Sequence, residues 1–378
     1  MNQKKGLHVG LVGLGFGAEF IPIYLDHPEV SELTICDSDP KVLKLQGDRF
    51  QVQQRSSDLK NLLTAPEIDA IHLITPIPLH AEQSLAVLNA AKHCACTVPM
   101  ATSIAELQEL VNAQRAQQKI FMMMETAVFT RGFLLAREML SKGEMGRIQL
   151  LKGSHYQDME GWPPYWNGLP PFHYGTHAIA PMLAIVNTRA TAVHCFGSGV
   201  MREELTSVYG NPYPCETAIF QLQEGNIAAE ATRTLFQTAR EYTESFSVYG
   251  EHASLEWQQL ELEESPVVFR MTELQKGRGR TISTERIIPP DRPDLLPESI
   301  SRYTQRGVYN ESNPSLSFLQ GGGHHGSHPH MVHEFITSIV QEKEPISGAL
   351  TAANWTAAGI CAHDSALQGG KRVDLPEF

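Results

Sequence analysis

The sequence predicts an α/β chain of two domains, a doubly wound parallel sheet followed by an α+β part built on an antiparallel sheet. Three observations predict it. Apolar runs alternate with helical patterns from residue 7 to about residue 125. A glycine-rich run, Gly13-Leu14-Gly15-Phe16-Gly17-Ala18, directly follows the first apolar run. Beyond about residue 145 that alternation stops and turn-linked strand pairs take over. The 378 residues are also more than one hydrophobic core usually organises.

In order, His8–Val12 reads as the first strand, Leu33–Cys36 as the second and Ala70–Ile74 as the third. His93–Cys96 and Ile120–Met124 follow as further strands. Between the last three lie helical segments, Ala81–Lys92 and Ser103–Gln118. Strand–helix–strand repetition means parallel strands joined by right-handed crossovers. Ile148–Ser154 is the next strand candidate. Ala218–Leu222 and Ile227–Thr232 flank Glu224-Gly225-Asn226, and Phe246–Tyr249 and Ala253–Trp257 flank Gly250-Glu251-His252. These are two hairpin signals, and successive hairpins build an antiparallel sheet. Residues 272–326 are polar and rich in Pro and Gly, so that segment is functional or partly disordered. Two helical patterns, His330–Val340 and Ala352–Gln368, close the chain. The domain boundary is expected at residue 126, with 1–126 as one domain and 127–378 as the other.

Composition excludes several classes. The net charge is −12 and no run of Lys and Arg offers phosphates a basic stripe, so no nucleic-acid partner is expected. No apolar run approaches the roughly eighteen residues that a membrane span needs. The first residues lack the apolar core and cleavage site of a signal peptide, so a cytoplasmic protein is expected. Cys36, Cys94, Cys96, Cys195, Cys215 and Cys361 are scattered through apolar runs and read as reduced core thiols.

The run from Gly13 to Ala18 fits G-x-G-x-x-G/A between a strand and a helix, the fingerprint of a Rossmann dinucleotide-binding domain. Gly13 allows the tight turn. Gly15 lets the backbone approach a pyrophosphate. Gly17 and Ala18 let helix and strand pack closely. The phosphate charge then meets N–H groups at the helix N-terminus. Asp37 ends the second strand, where a carboxylate can bond both ribose hydroxyls and would repel a 2′-phosphate. NAD is therefore favoured over NADP. Asp37 also suits a plain turn residue in Asp37-Ser38-Asp39-Pro40. Pro22 falls early in the first helix and points to a shortened or kinked start.

These residues resemble the Gfo/Idh/MocA oxidoreductase family. The resemblance rests on the Gly13 fingerprint, on Ile74-Thr75-Pro76 with His80 behind it, and on the run Ala91 to Ala101 containing Thr97-Val98-Pro99. The hairpin from Val248 to Leu255 and the closing helices also match. The resemblance implies a Rossmann domain, an open antiparallel-sheet domain and a sugar or polyol site between them. It implies NAD held by Gly13, Leu14, Gly15, Phe16, Gly17, Asp37, Thr75, Pro76, His80, Thr97, Val98 and Pro99. It also implies closing helices that pack back toward the Rossmann domain and homo-oligomers, dimers or tetramers, formed through the sheet.

Two departures carry information. Family dehydrogenases have Glu-Lys-Pro where this chain has Thr97-Val98-Pro99, and a valine side chain moves no proton. Their Asp-x-Gly-x-His motif stands here as His173-Tyr174-Gly175-Thr176-His177. Val98-Pro99, Tyr174 to His177, and a following Ala180-Pro181 turn resemble the family's NAD-dependent glycosidase branch. That branch oxidises a sugar hydroxyl, eliminates the leaving group, adds water and returns the hydride. The resemblance implies His177 as proton acceptor for the hydroxyl. Tyr174 is a candidate base for the acidified C–H, and His173 a candidate for leaving-group protonation or for orienting His177. His173 and Tyr174 also suit packing roles.

Trp162 and Trp166, in a Pro-rich loop, offer faces to the apolar side of a sugar. His155, Gln157 and Asp158 leave a strand aimed at the same motif, and Glu125 ends a parallel strand where ligands bind. In the cluster His324 to His330 no Cys or carboxylate stands at a standard ligand spacing, so no metal is expected. Ser327 and Pro329 read instead as a helix start, preceded by a loop that reaches the substrate or merely connects. The function expected is NAD-dependent oxidation of a sugar or polyol hydroxyl. The alternatives are a redox-neutral glycosidase or lyase working through a keto-sugar, and a non-catalytic dinucleotide-sensing regulator.

Overall fold

The computed structural model describes residues 6–161, 169–223, 226–257, 260, 263, 265–305 and 324–378. Trp162, Trp166, the turn residues Glu224 and Gly225, and Gly321-Gly322-Gly323 lie outside the described residues. The chain divides into two compact units. Unit 1 holds residues 1–129, 291–353 and 378, and unit 2 holds 130–290 and 354–377.

Unit 1 carries six parallel strands: β1 (Leu7–Val12), β2 (Val30–Cys36), β3 (Arg55–Ser56), β4 (Ala70–Leu73), β5 (His93–Thr97) and β6 (Phe121–Met124). Their order is β3-β2-β1-β4-β5-β6, the doubly wound order expected. β4 and β6 are buried along their whole length, which is why they read as near-continuous apolar runs with only His72 polar. Helices α1 (Ile21–Asp26), α2 (Pro40–Arg49), α3 (Leu59–Thr64), α4 (His80–Asn89) and α5 (Ile104–Gln117) link the strands. A 3₁₀ turn, Phe16–Phe20, precedes α1 and leaves Pro22 in the first turn of that helix, where a missing N–H costs nothing. α2 and α3 were not expected from the sequence; they start on side-chain caps, with Asp39 accepting from Lys41 N and Asp58 from Lys60 N. Ser103 and Glu106 close a capping box on α5.

The returning segment adds α9 (Glu298–Ser301), α10 (Ser327–Gln341) and the first turn of α11 (Ala349–Leu367) to unit 1. It is fastened to the sheet edge. Met123 N donates to Ser347 O (2.9 Å) and Ser347 Oγ donates to Met123 O (2.7 Å).

Unit 2 contains α6 (Arg131–Ser141), α7 (Thr176–Ile185), α8 (Glu203–Tyr209) and the rest of α11. Its strands are β7 (Ile148–Tyr156), β8 (Ala190–Ser198), β9 (Cys215–Leu222), β10 (Ala228–Thr234), β11 (Thr243–Gly250), β12 (Ala253–Glu256), β13 (Val267–Met271), β14 (Ile282–Arg286) and β15 (Val373–Asp374). They form one open sheet in the order β14-β13-β12-β11-β7-β10-β9-β8-β15. The hairpins β9–β10 and β11–β12 form as expected. The sheet is mixed, however, because β7 pairs parallel with β10. A parallel pair needs a long crossover, and residues 157–227, with α7 and α8, supply it.

α7 is apolar and buried almost all round, as a helix lying on a sheet face must be. The expected Ala180-Pro181 turn is not a turn, since Pro181 lies inside α7. Pro181 has no N–H to give the carbonyl four residues back, and packing on β7, β10 and β11 holds the helix instead. The approach is close. A Cβ at Gly153 on β7 would lie 2.0 Å from Ala178 O. Gly153→Val is therefore expected to push α7 off the sheet and cost about 3 kcal/mol, read as a lowered urea midpoint together with loss of any activity that His177 carries.

Candidate cofactor and catalytic sites

In unit 1, β1 ends in the glycine loop. Gly13 has φ +90°, and a Cβ there would lie 2.2 Å from Ile74 O, so the turn and the contact with the end of β4 both demand glycine. A Cβ at Gly17 would meet the Ile74 side chain at 2.9 Å, which is the close helix–strand packing expected. Gly15 has nothing within 4 Å of where its Cβ would stand. The middle glycine therefore borders open space, as a residue must if a pyrophosphate is to lie on its backbone. Asp37 ties this loop to the next turn, with Oδ2 accepting from Leu14 N (2.7 Å) and Oδ1 from Asp39 N (2.8 Å). A carboxylate keeps lone pairs beyond these two bonds, so the turn role and a ribose role are compatible.

The turns after β4 and β5 are joined through His80, whose Nε2 lies 2.8 Å from Thr75 O and whose Nδ1 lies 2.7 Å from Pro99 O. Thr75 Oγ1 donates to Gln83 Oε1 (2.6 Å). Thr97 Oγ1 lies 3.3 Å from His80 Nε2. Pro76 immediately precedes the 3₁₀ turn Ile77–Leu79. The Val98-Pro99 bond is cis, and the Val98 side chain is buried. Glu125 is fully buried, and its Oε1 accepts from Ala127 N (2.9 Å), capping the turn Thr126–Val128 at the end of β6.

The histidine cluster falls against the glycine loop. His324, His325 and Gly326 all have positive φ, and α10 begins at Ser327 as expected. The Phe16 ring meets those of His324 (5.9 Å) and His328 (5.7 Å) edge-on. His328 Nδ1 lies 3.4 Å from Glu19 Oε2. Burial pushes the Glu19 carboxyl up to about 7. Burial, then His324 and His72, pushes His328 well down.

Unit 2 gathers its own group. His177, on the first turn of α7, is 3% exposed. Its Nε2 lies 3.4 Å from the Tyr174 hydroxyl and 3.7 Å from Glu244 Oε1. Tyr242 donates its hydroxyl to that same carboxylate. Burial, then Glu244, holds the Tyr242 pKa well above its usual value, so it stays a phenol. His155, fully buried on β7, packs its ring against Tyr174 (5.9 Å), His177 (5.1 Å) and Tyr242 (5.4 Å). Arg233, fully buried on β10, donates to the carbonyls of Tyr174 (2.8 Å), His155 (3.4 Å) and Thr234 and to Gln157 Oε1 (2.9 Å). Its guanidinium lies 5.4 Å from the Tyr174 ring centre. Burial lowers its pKa to about 10, which still leaves it charged at neutral pH.

His173 keeps different company. Its ring meets that of His363 at 5.4 Å, and His363 Nδ1 lies 2.6 Å from the fully buried Glu216. Glu216 also accepts from Phe172 N (3.0 Å), so this pair fixes the turn that carries Tyr174. Burial, then His363, lowers the His173 pKa to about 3. A neutral imidazole holds no spare proton for a leaving group. Asp158 is exposed and caps its own turn through Glu160 N (3.0 Å). Sequence reasoning missed Glu244, Tyr242 and Arg233. The available signal was an acid on the buried face of β11, in alternation with Phe246 and Val248.

The fold and the glycine loop are those of a Rossmann nucleotide-binding domain, and comparison with known proteins agrees. The family model described as "Oxidoreductase family, NAD-binding Rossmann fold" matches residues 7–125. Over these residues the chain is similar to the Gfo/Idh/MocA family. Glycosyl hydrolase family 109 protein 1 of Phocaeicola vulgatus is 26% identical over 200 residues, covering 48% of this chain and 42% of that protein. Levoglucosan dehydrogenase of Pseudarthrobacter phenanthrenivorans is 27% identical over 168 residues, covering 42% of this chain and 43% of that protein. The chain thus spans less than half the length of these curated relatives. A solved levoglucosan dehydrogenase, in complex with NADH and levoglucosan, covers 98% of this chain and 100% of its own at TM-score 0.77 and 20% identity. Myo-inositol 2-dehydrogenase of Lactobacillus plantarum covers 98% and 100% at TM-score 0.72 and 17% identity. These last two likenesses concern the fold alone.

Proposed function

We propose that this chain is an NAD-dependent oxidoreductase acting on a hydroxyl of a neutral sugar or polyol, with His177 as proton acceptor. The observation that carries the reading is the buried pairing of His177 with Glu244 and the Tyr174 hydroxyl, in a chain whose position 98 holds no lysine. Unit 1 supplies the seat for NAD through Gly13, Leu14, Gly15, Phe16, Gly17 and Asp37, flanked by the turns bearing Thr75, Pro76, Thr97, Val98 and Pro99. The dinucleotide, when bound, supplies the hydride acceptor. His177 takes the hydroxyl proton, and the Glu244 carboxylate stabilises the imidazolium that results. Tyr242, which remains a phenol, holds Glu244 in place. Arg233 is committed to three carbonyls and Gln157, so it stabilises the framework and is not a substrate anion site. This supports a neutral substrate over a sugar acid or phosphate. His155 backs the His177 ring, and Glu125 shapes the end of β6.

A second reading is supported by Val98 and by Tyr174 beside His177, together with the glycosyl hydrolase relatives. It is a redox-neutral elimination in which Tyr174 removes the acidified C–H proton. One experiment separates the readings. Purified protein, supplied with NAD, is incubated in heavy water with neutral glycosides, sugars and polyols. Net NADH formation from a free sugar or polyol supports the dehydrogenase. Deuterium gain beside the oxidised carbon without net NADH supports elimination. Turnover of neither would leave the dinucleotide-sensing regulator. In the same assays NADP is expected to bind at least about a hundredfold more weakly than NAD, because Asp37 repels a 2′-phosphate.

No helix among the described residues is long and apolar enough to cross a membrane. All six cysteines are free thiols, which supports a cytoplasmic setting. Phe196 on β8 and Ile219 on β9 stand 61% and 47% exposed on the outer sheet face, which supports a homo-oligomer formed through that face.

A further inference from the structure

His80 is the first residue of α4 and is 1% exposed. Both ring nitrogens point at main-chain carbonyls, Nδ1 at Pro99 (2.7 Å) and Nε2 at Thr75 (2.8 Å). A carbonyl oxygen only accepts. A neutral imidazole has one N–H and one bare lone pair, so either tautomer would set lone pair against lone pair at one of these contacts. Both contacts are hydrogen bonds only when both nitrogens are protonated. The Thr97 hydroxyl is farther from Nε2, at 3.3 Å, and already has Leu73 O as an acceptor at 3.4 Å.

We propose that His80 is a positioning residue charged at neutral pH, an imidazolium that fastens the turn after β4 to the turn after β5. This rests on the reading that unit 1 holds NAD, because strand C-terminal ends in a doubly wound sheet face the bound ligand. The surroundings suit the charge. Cys96 faces His80 from β5, and Cys94 shares that strand face two residues earlier. Residues 74–79 and 97–101, the two turns it joins, contain no titratable side chain, and Glu82 on α4 itself is exposed. Burial works against charging His80. Cys96, which also hydrogen-bonds the ring, and the carbonyls of Pro99 and Thr75 outweigh it and raise the pKa to about 9.

The sign is that of a group whose pKa rises on folding. Its contribution is complete below about pH 6.5 and is lost as pH climbs through about 9. The test uses the full chain labelled with ¹⁵N-histidine, the His80 signal being assigned by its absence from His80→Gln. Both ring nitrogens are expected to be protonated at pH 8 and to titrate near pH 9. NADH affinity of the unsubstituted protein is expected to fall about tenfold as pH passes 9, and that of His80→Gln to be about tenfold weaker already at pH 7 and flat with pH, as for loss of one charged hydrogen bond. A single protonated nitrogen at pH 8 overturns the proposal. So does an NADH affinity that ignores both the pH and the substitution. If His80→Gln does not fold, the nitrogen shifts are read on the unsubstituted protein, assigned by their contacts to Thr75 and Pro99. If NADH does not bind at any pH, the cofactor reading fails, and the shifts still decide the charge on His80.

Discussion

His177→Ala is expected to lower turnover of the best sugar or polyol substrate by about a thousandfold, the usual scale for removing a general base, while leaving the dissociation constant for NADH unchanged. The split follows from where the residue sits. His177 belongs to unit 2, whereas every residue assigned to the dinucleotide belongs to unit 1. Its partners sharpen the test. Glu244→Gln keeps the shape and the bond from Tyr242 but removes the charge opposite the imidazole, so a smaller loss, about tenfold, is expected. His173→Gln should cost little turnover, because that ring packs on His363 and is held neutral by burial. Steady-state kinetics with a fluorescence titration of NADH measures all three. A His177→Ala enzyme with full turnover removes the proton-acceptor assignment.

Gly15→Asp should abolish dinucleotide binding, raising the NADH dissociation constant more than about a hundredfold, with the fold intact. Two facts combine here. Nothing stands within 4 Å of a Cβ at Gly15, so the side chain costs the apo protein no packing. A carboxylate placed there faces the pyrophosphate at short range, in the place of bare amides. Gly13→Ala is the contrasting substitution. Its Cβ would overlap the Ile74 carbonyl, and φ is +90° there, so it should lower the melting temperature as well as the affinity. Calorimetry beside thermal melts separates the two effects. Tight NADH binding by Gly15→Asp would mean that the cofactor lies elsewhere.

Much of unit 1 was legible because its signals are local. The strands are short apolar runs, and the glycine loop has a steric reason at each glycine that one sequence already displays. α2 and α3 were missed because both are short and start on the Asp39 and Asp58 caps rather than on a long apolar stripe. The candidate catalytic group was only half legible. Tyr174 and His177 sit one helical turn apart, so spacing finds them. Glu244, Tyr242 and Arg233 reach the same place from β11 and β10 through sheet register, which no local pattern encodes. His173 packs on His363 from α11, far along the chain, a neighbour that no local pattern encodes. Pro181 misled because a proline inside a helix is tolerated where packing is tight.

The Ser347–Met123 stitch has a consequence for biosynthesis. The N-terminal sheet is finished by residues that leave the ribosome more than two hundred positions after β6. Until then that strand shows the Met123 N–H and carbonyl on a bare edge, the kind that recruits other chains. A fragment ending at residue 129 would keep that edge open, so cutting there should yield aggregates, whereas co-expression with a piece spanning 291–353 should restore a soluble nucleotide-binding half.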